Sequence, residues 1–287
     1  MSLYVLALVL TAAVLHASWN LLAKKTKGKV PFIWLQYIVS NILYLPLLFF
    51  QTSHDFAINT HALLWFSFSS AVLHLAYFTV LQKGYRSADL SVVYPLARGS
   101  APLVSFIAAI VFLHEQLKLS SVIGLLLIIS GVLIITGLSF KKEKNSKIMT
   151  GITYGALTGL FIALYTFNDT VAVKKYALPP LILTLSTNLF STALLLPFAL
   201  PQKDELKREI KMHKWIIIAV AFLSPAAYIL VLEALKYAPL SVVAPARETS
   251  ILLGVFMGAK VFDEKNGKRR LIASVLILGG IIALSLS

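Results

Sequence analysis

Ten runs of about 20 mostly apolar residues follow one another along this chain with little between them, and that length carries an α-helix across the hydrocarbon core of a bilayer. They fall at residues 3–22, 31–50, 62–81, 90–113, 120–139, 149–171, 178–200, 215–235, 240–261 and 271–285. No water-soluble core could absorb them. Of 287 residues, 58% are hydrophobic and only 13% charged, against about a quarter charged in soluble domains. The chain therefore reads as an all-α polytopic membrane protein. Residues 1–23 lack a basic leading region and a small-residue cleavage site, and His16 and Asn20 interrupt the far end, so this run reads as the first transmembrane helix and not as a cleaved signal peptide. The longest polar loops are expected at 140–147 and 202–214.

The sequence also repeats itself. LSVVYPLARGS, from Leu90 to Ser100, returns 150 residues later as LSVVAPARETS, from Leu240 to Ser250. After the proline the second copy reads as one residue shorter, which sets Arg247 against Arg98 and replaces Gly99 with Glu248. AYFTVL at 76–81 recurs as AYILVL at 227–232, and His114-Glu115 is answered by Asp263-Glu264, each pair followed by a final run rich in Gly, Ile and Leu. The halves are 1–140 and 141–287. Five helices per half is an odd number, so the second half enters the membrane from the opposite side. The expected fold is ten transmembrane helices as a 5+5 inverted-topology repeat.

Orientation follows from charge. Most of the 26 basic residues lie between runs 1 and 2, 3 and 4, 5 and 6, 7 and 8, and 9 and 10, while the other face holds only Lys118, Lys174, Lys175 and Lys236. The positive-inside bias makes the crowded face cytoplasmic and puts both termini outside a plasma (bacterial inner) membrane. The net charge of +14 is thus an orientation signal, and no nucleic-acid partner is expected.

Two five-helix inverted halves, each with a proline-bearing fourth helix, an acidic residue at the following loop and a glycine-rich last helix, resemble the EamA type of the drug/metabolite transporter superfamily. The likeness covers the whole chain. It is carried by Pro95, Pro102, Glu115, Gly124 and Gly131 in the first half and by Pro245, Glu264, Gly279 and Gly280 in the second. LHASWNLLAK at 15–24 is similar to a subgroup associated with phosphonate utilisation. The resemblance implies a central cavity among helices 1, 3, 4, 6, 8 and 9, with helices 5 and 10 peripheral. It also implies cytoplasmic termini, which the charge bias reverses.

Arg98 and Arg247 are the chemically loudest residues, because a charge this far inside an apolar helix costs at least about 2.5 kcal/mol on insertion scales and is normally turned inward. Two readings stand. Arg98 forms a structural ion pair with Glu248 across the repeat interface, or one of two arginines is left over to hold an anionic group of a substrate. Pro95, Pro102, Pro225 and Pro245 are expected to break or kink their helices, and Pro95 and Pro245 mark the interruption beside the site. His16, Trp19 and Asn20 share one face of helix 1, and His74 and Tyr77 one face of helix 3; with Tyr94, Tyr165 and Tyr228 they either line the cavity or pack between helices. Asp169 and Glu233 are candidate coupling carboxylates, but their closeness to helix ends, beside Lys174 and Lys236, favours an interfacial place. Glu115 and Glu264 read as structural markers at loops. The stripes Gly151-Gly155-Gly159 and Gly254-Gly258 allow close helix packing, with sliding and then homodimerisation as further readings.

Several classes are disfavoured. There are no cysteines, hence no disulfide or thiolate metal site. No phosphate-binding loop is present for ATP, and neither a zinc-protease helix nor a Gly-x-Ser-x-Gly elbow appears. No cofactor or metal is called for, and the chain does not read as an enzyme. The expected activity is secondary transport of a small polar metabolite, anionic or zwitterionic, by alternating access. Its partners are that small-molecule substrate, the lipid bilayer and a coupling ion or proton. The alternatives are a membrane-embedded enzyme, or a channel or scaffold without carrier activity.

Overall fold

The computed structural model describes residues 1–23, 26, 30–50, 58–88, 90–116, 118–136, 146–251 and 267–286. Among these there is no strand. Ten α-helices follow in order: α1 (Leu3–Ala23), α2 (Val30–Tyr44, continued by a 3-10 stretch at Leu45–Phe50), α3 (Thr60–Ser87), α4 (Leu90–Leu113), α5 (Leu119–Thr136), α6 (Ser146–Lys175), α7 (Pro180–Ala199), α8 (Lys203–Tyr237), α9 (Leu240–Arg247) and α10 (Gly267–Ser285). Seven of them, α1 to α4 and α6 to α8, are long and apolar enough to cross a membrane, whereas α5 and α10 carry shorter apolar stretches. Side chains such as Phe112, Leu189 and Val275 stand exposed on the outer surface, as a lipid solvent requires.

The packing shows the repeat. α1 lies against α8 as α6 lies against α3, α2 against α8 as α7 against α3, and α2/α7, α4/α9 and α5/α10 pair with one another. Each pair maps onto another pair, or onto itself, when five is added to or taken from the helix numbers. The chain is a polytopic α-helical membrane protein built as two five-helix repeats. Small residues allow the closest contacts. A Cβ on Gly155 would sit 2.7 Å from Leu96 Cβ on α4, and one on Gly280 would sit 2.8 Å from Gly124 O on α5. The Gly151-Gly155-Gly159 stripe therefore packs α6 on α4; Gly254 and Gly258 lie outside the described residues.

The prolines behave differently from expectation. α4 is helical at every position from Leu90 to Leu113, straight through Pro95 and Pro102, so the expected break at Pro95 is absent. The tight α4/α6 seam holds the helix where proline removes a hydrogen bond. Pro225 lies inside α8, whose one non-helical residue is His213 (φ −125°, ψ 16°), where two helical stretches meet at a kink. Of Pro95, Pro102, Pro225 and Pro245, Pro245 is the one beside a helix end: α9 stops at Arg247, two residues later, with Glu248 at its C-cap, and helical residues resume at Thr249.

The stretch 202–214, expected as a loop, is helical from Lys203. Its charges pair along one helix, Arg208 with Glu205 at 2.6 Å and His213 with Glu209 at 2.8 Å. A run of strong helix formers with such pairs folds as a polar helix as readily as it reads as a loop.

Glu115 does more than mark a loop. Its carboxylate accepts hydrogen bonds from Leu240 N (2.7 Å), Ser241 N (3.0 Å) and Ser241 Oγ (2.7 Å), capping the N-terminus of α9 from the other half. A negative group there satisfies orphan donors and faces the positive end of the helix. Lys174 completes the corner at 3.5 Å. Glu264 and Asp263, the corresponding residues of the second half, lie outside the described residues.

Candidate functional site

The helices enclose a cavity of about 440 Å³ lined by residues of α1, α2, α3, α4, α6, α7, α8 and α9. The resemblance implied six of these. α2 and α7 are additions, contributing Gln36 and Tyr37 from one and Thr187 and Asn188 from the other. The signal was available in the sequence, since these polar pairs interrupt apolar runs as His16 and Asn20 do.

Two arginines reach into the site from α4 and α9. Arg98 Nη1 meets Glu248 Oε2 at 3.3 Å, and its Nη2 lies 3.1 Å from His16 Nε2 on α1. Tyr94, one turn before it on α4, offers its ring to the guanidinium at 5.9 Å. Arg247 is held more loosely: its Nη1 is 3.5 Å from Thr166 Oγ1 on α6, its Nε is 3.8 Å from Glu248 Oε1, and neither that Nε nor that oxygen has a hydrogen-bond partner among the described residues. Glu248 is fully buried, behind the cavity wall, while Arg98 and Arg247 are part of the wall.

The register of the repeat is sharper than its letters. Arg98 and Glu248 are 150 residues apart, the offset of the LSVV-x-P match, so without a gap Glu248 stands where the first copy has Arg98. His16 and Thr166, which receive the two arginines, are related by the same offset. The one-residue deletion read from the sequence is therefore unnecessary. In that register Arg247 takes the position of Ala97.

An aromatic group gathers in the same cavity wall. His74 stacks on Tyr165 with ring centroids 3.8 Å apart, Tyr228 meets Tyr165 edge-on at 6.1 Å, and Tyr77 meets Tyr165 at 6.1 Å. His74 Nδ1 is anchored 2.8 Å from Ser70 O. Trp19 packs edge-on against His16 at 4.9 Å, and its indole N–H is buried without an acceptor among the described residues. Asn20 lines the cavity but spends its amide on His16 O at 2.7 Å.

Asp169 is the largest departure from expectation. It is 1% exposed and is not paired with Lys174, which turns to Glu115. Instead its carboxylate accepts hydrogen bonds from the Tyr228 hydroxyl, from Ser70 Oγ at 2.9 Å and from Asn168 Nδ2 at 2.9 Å. Distance from the helix end misjudged it, because α6 turns this face toward α3 and α8. Glu233 does lie at the margin, partly exposed and paired with Lys236 at 3.0 Å, and it takes no part in the cavity wall. Ser70, Tyr165, Thr166 and Asn168 complete the polar surroundings; of these only Tyr165 was singled out by sequence.

Comparison with known proteins is consistent with this architecture. Residues 3–137 and 149–286 match the EamA-like transporter family. Over 150 residues the chain is 33% identical to the Uncharacterized transporter YvbV of Bacillus subtilis (strain 168), a match covering 49% of this chain and 47%, about half, of that relative. The crystal structure of another protein superposes with a TM-score of 0.73 at 16% identity, covering 98% of this chain and 96% of that one. At that identity the likeness shows the fold alone.

Proposed function

The chain belongs to the EamA-like transporter family and is a multi-pass membrane transporter; from that premise we propose that it is a secondary carrier for a small metabolite with an anionic group, and that Arg247 binds that group. One observation carries the reading. Arg247 is a cavity-lining cation, 6% exposed, whose partners are too long or too weak to satisfy it: the buried carboxylate beside it already serves Arg98. A buried charge left in this state is stabilised by an incoming opposite charge. Alternating access is supported by the inverted repeat, whose two halves enclose the cavity and can rock about it.

The test is a thermal-shift screen of the purified protein against phosphonates, carboxylates, amino acids and organic cations. Compounds with an anionic group raise the melting temperature, and Arg247→Gln loses that shift. A response to cations alone, or an undiminished response in the variant, refutes the assignment. A radiolabelled hit should then exchange across proteoliposomes containing wild-type protein and not the variant.

In the same reading the protein lies in the plasma membrane with both termini outside, supported by the bias of Lys and Arg between loops. The natural chain has no cysteine, so single cysteines at Ser2 and Lys144 report cleanly. Labelling from outside at Ser2 and not at Lys144 is expected; the reverse overturns the orientation.

A further inference from the structure

Once Arg98 and Glu248 are taken as a pair, two charged groups of the cavity wall remain, and they are of opposite sign. Arg247 has only the loose contacts given above. Asp169 is buried with three neutral donors, and among the described residues no Lys, Arg or His comes within ion-pair distance of its carboxylate. Nor do the two pair with each other. They are nonetheless close: Arg247 reaches Thr166 on α6, and Thr166 and Asp169 are three residues apart on that helix, a spacing that sets Cβ atoms about 5 to 6 Å apart on one face. Beside Asp169 stand the rings of His74, Tyr165 and Tyr228, a surface that attracts an ammonium group through its π faces.

We propose that Asp169 and the neighbouring rings form a cation subsite, so that the cavity takes a short zwitterion whose anionic group meets Arg247 and whose ammonium group meets Asp169. The inference rests on the anion-binding role of Arg247 and extends it to the other end of the ligand. The charge count favours this class. Arg98, Glu248, Arg247 and Asp169 together are neutral, and a dipolar ligand keeps them so while giving each unpaired group a partner. An anion alone leaves Asp169 buried without a counter-ion, at the cost that accompanies an unpaired buried charge. The separation of the subsites selects ligands whose charges are a few bonds apart.

The experiment compares matched probes on the purified full-length protein by thermal shift and titration calorimetry: 2-aminoethylphosphonate and alanine, each with its anion-only analogue ethylphosphonate or propionate, together with ethylamine and the longer dipole 6-aminohexanoate. The expected result is binding of at least one short dipole about tenfold or more tighter than its anion-only analogue, the size of effect a buried charge pair gives, with 6-aminohexanoate weaker. In Asp169→Asn, close in shape but neutral, that preference falls to about onefold. Glu233→Gln, which removes a carboxylate paired with Lys236 outside the cavity wall, retains it. Equal binding of dipole and anion by the wild-type protein, no binding of any short dipole, or an unchanged preference in Asp169→Asn overturns the proposal. If anions bind and depend on Arg247 but dipoles are not preferred, the anion site stands and the cation subsite falls; if nothing depends on Arg247, both fall.

Discussion

Arg98 and Glu248 hold the same position in two copies of one segment, and they touch. The two copies share a sequence and a place in the fold, yet the first runs through its proline as one unbroken helix while the second stops at Arg247. The first copy is braced along its length by the glycines of α6. Glu115 caps the start of the second, which ends with Arg247 in the cavity wall. Residues at equivalent positions beside a pseudo-twofold axis face each other. A like-charged pair there would repel, so opposite signs let a duplicated scaffold close on itself. The same divergence releases Arg247 from any equivalent in the first copy, since Ala97 stands in its place. The scaffold is thus close to symmetric, and the chemistry depends on where it is not.

The largest effect that would break this comparison is at the shared position. Glu248→Gln leaves Arg98 without its counter-charge and removes the loose contact of Arg247, and should cost about 3 to 5 kcal/mol, read as a steep loss of monodisperse folded protein. Arg98→Gln should cost less, because Glu248 can fall back on Arg247, 3.8 Å away. Equal losses in the two variants would show that the loose 3.8 Å contact with Arg247 contributes nothing. Next in size is the bracing of the first copy. Gly155→Ala forces a Cβ to 2.7 Å from Leu96 Cβ and should destabilise by about 1 to 3 kcal/mol, whereas Gly99→Ala, whose nearest new contact is 3.6 Å, should be close to neutral; thermal unfolding in one detergent compares them. The smallest is the cap of the second copy. Glu115→Gln weakens the bonds to Leu240 N and Ser241 N and should cost about 1 kcal/mol. Hydrogen exchange should quicken at the start of α9 and leave α4 unchanged.

Much of this was legible in the residues. The runs located the helices within a few positions at most ends, and α4 was placed at the same bounds. His16, Trp19, His74, Tyr77, Tyr94, Arg98, Tyr228 and Arg247 all line the cavity, because a polar or aromatic group within an apolar run has few other places to go. The errors share a cause. Pro95 was read from local rules that a neighbouring helix overrode, and 202–214 was read from polarity alone. Asp169 was judged by its distance along α6 when its environment depends on the direction in which α6 faces.

The sequence alone determined the solvent, the place of most helices along the chain, the duplication and the presence of buried charge, since each follows from composition and spacing along the chain. Tertiary structure decided which charges are neutralised. Arg98 and Glu248 are 150 residues apart, and Asp169 is 59 from Tyr228 and 99 from Ser70. A carboxylate's partners are set by the rotation of each helix about its own axis against the others, and close packing fixes that rotation only after the helices have assembled.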